Sequence, residues 1–432
     1  MKRMYFFYCC FFLFTISQTI GQEKPLDSIL ISPSKQYEAD LYNKKGEKQT
    51  FNDKMLNILF AKKVGTAFGG SNDLTLQKFY TSLDANDKSL SIGANFEWKR
   101  SDETKKLTWL LSAGAKIKSE NNFATVYDNG DFQEDNIGAT FKITRIGRGS
   151  INFTSTDSRK RRDSAVIINR RLLYKKYDKT VLKFNTENLN DNKYNHYQLS
   201  LFDKDRKSFN SELDSKGKEL YTEMAKEEIT YLEKNKMYHF ISDNWFSLEI
   251  FVPFGENNYL TTSDVINNAL SKKHFYAFNT TLSWNYMKEY SCGNSFFLKV
   301  KANLKNNNNI LVDDLKSQAF QTTESGSGGT LVIKDSDNGY ITDFEQFLTP
   351  SLTVEPAFFI FNNSLGFSPA VEFNQGKYNK TNWKLGIPIS LKDKDGKPKV
   401  NFEIQWKEIN TFNSSSHLVG ISANFLFGEL IN

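Results

Sequence analysis

From Ser89 onward, apolar and polar residues alternate with a period of two, the pattern of a strand with one face in an apolar medium and the other in a polar one. Leu90, Ile92, Ala94, Phe96 and Trp98 interleave with Ser89, Ser91, Gly93, Asn95 and Glu97. The pattern returns over residues 107–117 and 137–143. In the second half it recurs over 246–254, 276–286, 296–304, 352–360, 365–373, 383–391, 400–406 and 419–427. With a shorter segment at 151–154 this predicts about 12 strands, and weaker candidates at 74–83 and 330–333 extend the range to about 14.

Many of these segments run about 9–13 residues, beyond the ~5–6 of an ordinary globular strand and matched to a tilted crossing of a bilayer. Their polar faces carry Lys, Glu, Asn, Ser and Gly, as a wet or tightly filled lumen requires, while the other face is continuously apolar. The chain is therefore expected to be all-β, an antiparallel transmembrane β-barrel with a partly helical insertion. A soluble sandwich would also alternate and is the rival reading. The charged lumen-facing candidates are Glu97, Lys116, Lys142, Glu249, Lys299, Lys301, Glu372, Lys384 and Glu403. Trp98, Trp109, Trp245, Trp284, Trp383 and Trp406 fall in predicted strands, several near an end, as an interfacial aromatic girdle would. Pro356, Pro369 and Pro388 interrupt alternating runs; in a closed barrel without edges they are expected to mark bulges.

Alternation stops over residues 157–244, read as a partly helical insertion between first barrel strands at 74–156 and the remaining ones at 245–432. Residues 166–184 suit helix or strand, whereas 211–236 place Leu213, Leu220, Met224, Tyr231 and Leu232 near helical spacing. Arg159, Lys160, Arg161 and Arg162 form the sharpest charge run, a candidate contact for lipid phosphates or an anionic partner. With both termini in the periplasm, counting strands back from the C-terminus puts this insertion in the periplasm too.

Residues 1–21 have the parts of an export signal: Lys2 and Arg3, an apolar stretch over 4–16, and small residues before a cut ahead of Gln22. That stretch is too short to span a bilayer comfortably, and no apolar run of about 18 residues follows it. Cys9 and Cys10 leave with the signal, so Cys292 remains alone and no intrachain disulfide can form. Residues 22–73 are polar, with helical character near 53–61, and read as a periplasmic segment or a plug inside the lumen.

Candidate chemistry is sparse. His196, His239, His274 and His417 are scattered, with no metal-like or nucleophile-like spacing. His417 beside Ser414, Ser415 and Ser416 is the one local pairing an outer-membrane hydrolase could use, and adjacent serines ahead of a strand are ordinary turn residues. The expectation is a protein that is not an enzyme and carries no cofactor or metal. A net charge of +6 over 432 residues is mild, and nothing requires nucleic acid.

The signal ending Ile20-Gly21-Gln22-Glu23, the aromatic-rich strands, and the terminal Gly420-Ile421-Ser422-Ala423-Asn424-Phe425-Leu426-Phe427 together resemble outer-membrane β-barrel proteins of Bacteroidota-type bacteria. The resemblance is one of architecture over residues 89–428. It implies location in the outer membrane of a Gram-negative envelope, surrounded by lipid. Such barrels commonly end on an aromatic residue, whereas this chain continues past Phe427 to Asn432. Two functions follow as expectations. One is a porin-like channel for small polar solutes, with selectivity set by the lumen charges. The other is a non-conducting anchor whose 157–244 insertion docks a partner in an envelope or secretion complex.

Overall fold

The computed structural model describes residues 30, 32–43, 45–64, 76–84, 89–98, 104–118, 127–128, 131–132, 137–152, 156–190, 203–263, 270–313, 315–325, 331–392 and 398–430. Among them, twelve strands close into one antiparallel barrel. They are β1 (Gln77–Asp84), β2 (Ser89–Trp98), β3 (Trp109–Lys118), β4 (Ile137–Ile146), β5 (Phe240–Pro253), β6 (Asn279–Tyr290), β7 (Ser295–Asn308), β8 (Gln346–Ile360), β9 (Leu365–Asn374), β10 (Thr381–Lys392), β11 (Pro398–Asn410) and β12 (Ser415–Leu430). Each pairs with the next, and β12 returns to β1 through Phe79↔Phe427, Thr81↔Phe425 and Leu83↔Ala423. Closure leaves no edge strand to satisfy, the condition for crossing lipid with strands.

The strand count matches expectation with one exchange of members. The segment near 151 is only the three-residue strand Ser150–Asn152, which continues the ladder of β4 along the start of β5 and does not cross. The closing strand is β1, from the weak 74–83 candidate. Its alternation is faint because Thr81 interrupts the outward row of Phe79 and Leu83, while the large ring of Tyr80 turns inward and is buried. That ring lies over Gly93, its register partner on β2, where an added Cβ would collide with the Tyr80 hydroxyl.

Outward positions carry exposed large apolar side chains, such as Phe141 and Ile143 on β4, Phe246, Leu248 and Ile250 on β5, and Trp383, Leu385 and Ile387 on β10. The inward positions between them are mostly polar and buried. Trp98 and Trp109 meet edge to face, ring centroids 5.9 Å apart, at the end bearing the termini, and Trp383 and Trp406 lie near the other end. Trp245 departs from the expected girdle: it is 0% exposed and points inward. The prolines depart too. Pairing between β8 and β9 lapses at Pro356 and Pro369 and resumes in the same register, so the missing N–H groups interrupt the ladder without a bulge.

An up-and-down barrel returns every second connection to the end that holds both termini. Those connections are 99–108, 147–239, 291–294, 361–364 and 393–397, so the insertion leaves the barrel at the terminal end. At the opposite end a second, four-stranded sheet joins Ser271–Phe275, Asn257–Thr262, Leu331–Ile341 and Gln318–Ser325, around Tyr259, Phe275 and Ile310. The 330–333 candidate therefore belongs to this outer sheet and not to the barrel.

The helices are α1 (Pro33–Ala39), α2 (Asp53–Val64), α3 (Thr156–Asn190), α4 (Asp203–Lys234) and the single turn α5 (Asn309–Val312). The insertion is thus two long helices, and its final residues already belong to β5, which starts at Phe240. The chain divides into two compact units, residues 1–40 with 170–224, and residues 41–169 with 225–432. In the first, Tyr37 is fully buried, with ring centroids 6.2 Å from Tyr174 and 5.1 Å from Tyr221. Ser34 donates to Asp178 at 2.7 Å, Tyr221 donates to Asp40 at 3.0 Å, and the Leu30 amide donates to Asn185 at 3.2 Å, fixing α1 against both long helices.

Candidate functional site: a filled lumen

A chain of ionic and polar contacts runs along the inner wall of the barrel from β7 to β12. Lys299 on β7 lies 2.9 Å from Glu355 on β8. Lys384 on β10 also pairs with Glu355 and lies 3.1 Å from Glu403 on β11. Ser368 donates to the Glu403 carboxylate, and Gln405 donates both to Glu403 at 2.7 Å and to Ser422 at 3.1 Å. Glu372 accepts from Asn382 at 3.1 Å, and Lys142 faces Glu249 at 2.9 Å across β4 and β5. Glu355 is 4% exposed, Glu403 1%, Gln405 4% and Ser422 0%. A water-filled lumen would leave such inward groups wet; here they contact one another instead. Each charge from Lys299 to Glu403 has an opposite charge beside it, and the Glu403 carboxylate also accepts from Ser368 and Gln405, without which desolvation would be prohibitive.

Gly386 is what lets the chain close. A Cβ there would run into the Glu403 carboxylate and the Ser368 hydroxyl, so only glycine leaves the carboxylate its place.

The terminal end is stopped by α2, the helical segment inside the barrel. Asn52 caps it, its side-chain oxygen accepting the Met55 amide at 2.9 Å. Phe60, Ala61 and Val64 on one face of α2 pack on the inward residues Trp245, Met287, Phe297, Ala357 and Phe359. Phe60 meets Trp245 edge to face at 5.7 Å between centroids. Burying each such large side chain contributes on the order of 1.5–3 kcal/mol. Polar contacts fix the rotation: Asn57 donates to the Lys105 carbonyl at 2.8 Å and accepts from the Leu107 amide at 2.8 Å. Lys63 pairs with Glu289 on β6 and with Glu233 in the last turn of α4.

Beside the plug, Lys106 contacts Asp243 at 2.6 Å. Burial pulls the Lys106 ammonium below its usual pKa, and Asp243 offsets only part of that pull. Burial, with Glu233 and Glu289 nearby, pushes the Tyr238 phenol well above its usual range.

All nine charged residues singled out in the sequence stand on the inward face of their strands. Lys299, Lys384 and Glu403 meet in the chain above, Lys142 meets Glu249, and Glu372 joins Asn382. Lys116 lies over the Phe251 ring at 5.9 Å, Lys301 is partly buried, and Glu97 is exposed near the terminal end of β2. The side chains of Arg159, Lys160, Arg161 and Arg162 lie outside the described residues. His417 stacks on Trp406 at 5.7 Å, and Ser414 bonds Thr411 in the turn before β12. Sequence reasoning passed over Glu355, although it sits at an inward parity position in a predicted strand. It also passed over Asn57, Lys63, Lys106 and Glu289, whose partners are far away in sequence.

No protein-family model matches the chain, and no curated protein matches it. Among solved structures it is similar to the β-domain of the Bordetella autotransporter Brka, at 8% identity, covering 81% of this chain and 96% of that one, with a TM-score of 0.25. The class is defined by the geometry of the chain itself. A closed barrel of twelve antiparallel strands with an apolar outer band and a polar interior has the architecture of an outer-membrane β-barrel.

Proposed function

We propose that this protein is an outer-membrane anchor whose barrel does not conduct and whose 157–244 insertion docks a partner in an envelope or secretion complex. The buried chain from Lys299 through Glu355 and Lys384 to Glu403 carries the reading, because these inward charges are held against one another and away from solvent, and α2 packs inside the terminal end of the barrel. The two long helices of the insertion support the docking half. In this reading the chain is exported with its signal cleaved before Gln22, in a Gram-negative envelope of the Bacteroidota kind. Both termini and the insertion face the periplasm, and the protein is neither an enzyme nor a cofactor carrier.

A porin-like channel is the second reading, favoured by the nine charges on the inward face. It requires α2 to leave the lumen and Lys384 to release its two carboxylates. In-cell crosslinking of the full chain against a chain lacking residues 157–244 separates the two. Anchoring requires that the shortened barrel still inserts, shown by heat-modifiable gel migration, and loses a defined crosslinked envelope protein. A shortened chain that keeps every crosslink contradicts docking through the insertion.

A further inference from the structure

The net charge of this protein is concentrated in one helix. Over its 35 residues α3 carries ten Lys and Arg against four Asp and Glu, an excess equal to the +6 of the whole chain. The companion helix α4 has seven basic against nine acidic residues. The two also differ in what they expose. Leu172 and Leu182 of α3 are 66% and 68% exposed, whereas no large apolar side chain of α4 is exposed among the described residues.

The exposed leucines are not the unit's own core. Leu173, Tyr177 and Val181 on the opposite side of α3 are buried, and Tyr174 and Asp178 are engaged with Glu38 and the Ser32–Ser34 pair of the α1 segment. Between the leucines, Arg171, Lys175 and Lys179 follow at intervals of one turn, a row of cations about 6 Å apart along the helix. The same side chains line an open depression of about 490 Å³ with Leu182, Tyr174 and Asp178, the last two already engaged with Glu38 and Ser34.

We infer that this face of α3, Arg171, Leu172, Lys175, Lys179 and Leu182, binds an anionic phospholipid surface. Leucines flanking a row of Lys and Arg is the composition of a helix that rests at a lipid interface, where aliphatic stems lie among acyl chains and ammonium groups reach phosphates. A protein partner fits less well. Protein interfaces are enriched in aromatic anchors and depleted of Lys, and the one aromatic bordering the face, Tyr174, has its hydroxyl turned to Glu38. Each basic group near an anionic bilayer adds attraction, and the barrel already tethers the helix to a membrane-bound molecule, so modest affinity suffices. The inference does not depend on whether the barrel conducts or on which protein the insertion docks.

The test uses the full chain in phosphatidylcholine nanodiscs, mixed with vesicles of phosphatidylcholine alone or with a quarter phosphatidylglycerol, and read by flotation. The protein is expected to float with the anionic vesicles only, and high salt is expected to release it. Arg171→Glu with Lys175→Glu and Lys179→Glu should lower the bound fraction at least about tenfold, and Leu172→Ser with Leu182→Ser should also weaken it. Should the charge-reversed chain fail to fold, Arg171→Gln with Lys175→Gln and Lys179→Gln serves, and Lys218→Glu on α4 is the control that should bind normally. Absence of wild-type binding to anionic vesicles, or equal binding by wild type and the neutralised chain, overturns the inference. So does a face that fails to bind vesicles yet loses a crosslink to an acidic envelope protein on charge reversal, which assigns it to protein.

Discussion

The ammonium of Lys63 stands 3.3 Å from the carboxylate of Glu233, so the helix inside the lumen is ion-paired to the foot of the insertion. Lys63 also pairs with Glu289, whose side chain is 1% exposed and accepts a second hydrogen bond from Asn363 at 3.3 Å. Removing one partner of a buried pair leaves the other charge uncompensated, at a cost of about 3–5 kcal/mol. Lys63→Ala should therefore loosen α2 more than it disturbs the barrel wall. With Cys292→Ser and Ala61→Cys as reporter, maleimide should label residue 61 at least about tenfold faster once Lys63 is gone. Unchanged labelling would mean that Phe60 and its apolar neighbours hold the plug unaided.

The second expectation concerns the space inside the barrel. Gly386→Ala puts a methyl group where the Glu403 carboxylate and the Ser368 hydroxyl sit. Overpacking of this kind typically costs about 1–3 kcal/mol. The temperature at which the folded gel band converts to the unfolded one should fall, and Gly93→Ala should lower it in the same way by displacing the Tyr80 ring. A lumen loose enough to hold water would absorb both methyl groups without effect.

The third is a pH dependence at Lys106. Its folded pKa lies below the ordinary 10.5, so between the lowered value and 10.5 the unfolded chain holds the extra proton. Stability contributed by this group therefore rises with pH through that window. The unfolding temperature of the wild type relative to that of Lys106→Met should rise as pH is raised toward 10.5. A constant difference would show that Asp243 holds the ammonium at its ordinary value.

Closure by β1 gives a fourth expectation. Ser82 and Asn424 are register partners, both buried on the inward side of the β1–β12 seam. Facing residues of an antiparallel pair stand close enough for a disulfide. With Cys292→Ser, the pair Ser82→Cys and Asn424→Cys should oxidise fully and change gel migration, whereas Ile151→Cys with Asn424→Cys should not crosslink.

How far the sequence reveals this molecule depends on where each signal originates. Lipid imposes a continuous apolar face, so the strands from Leu90 to Phe427 declare themselves through alternation. β1 hides because its inward Tyr80 and outward Thr81 invert the pattern to fit Gly93. Trp245 looks like a girdle residue, being near a strand end, and only its meeting with Phe60, far away in the chain, makes it core. The inward parity of Lys299, Lys384 and Glu403 is legible strand by strand. Their linkage through Glu355 and Lys384 is not, because it follows from the register of five successive strands.

Single-channel recording of the refolded full-length protein in a planar bilayer decides most directly whether the filled lumen is the working state. Protein verified as folded by heat-modifiable migration should give a silent bilayer, and a chain carrying Lys63→Ala and Lys384→Ala should give at most brief openings. Steady, ion-selective steps from the wild type would contradict a filled barrel and make the inward lysines and glutamates the determinants of a pore.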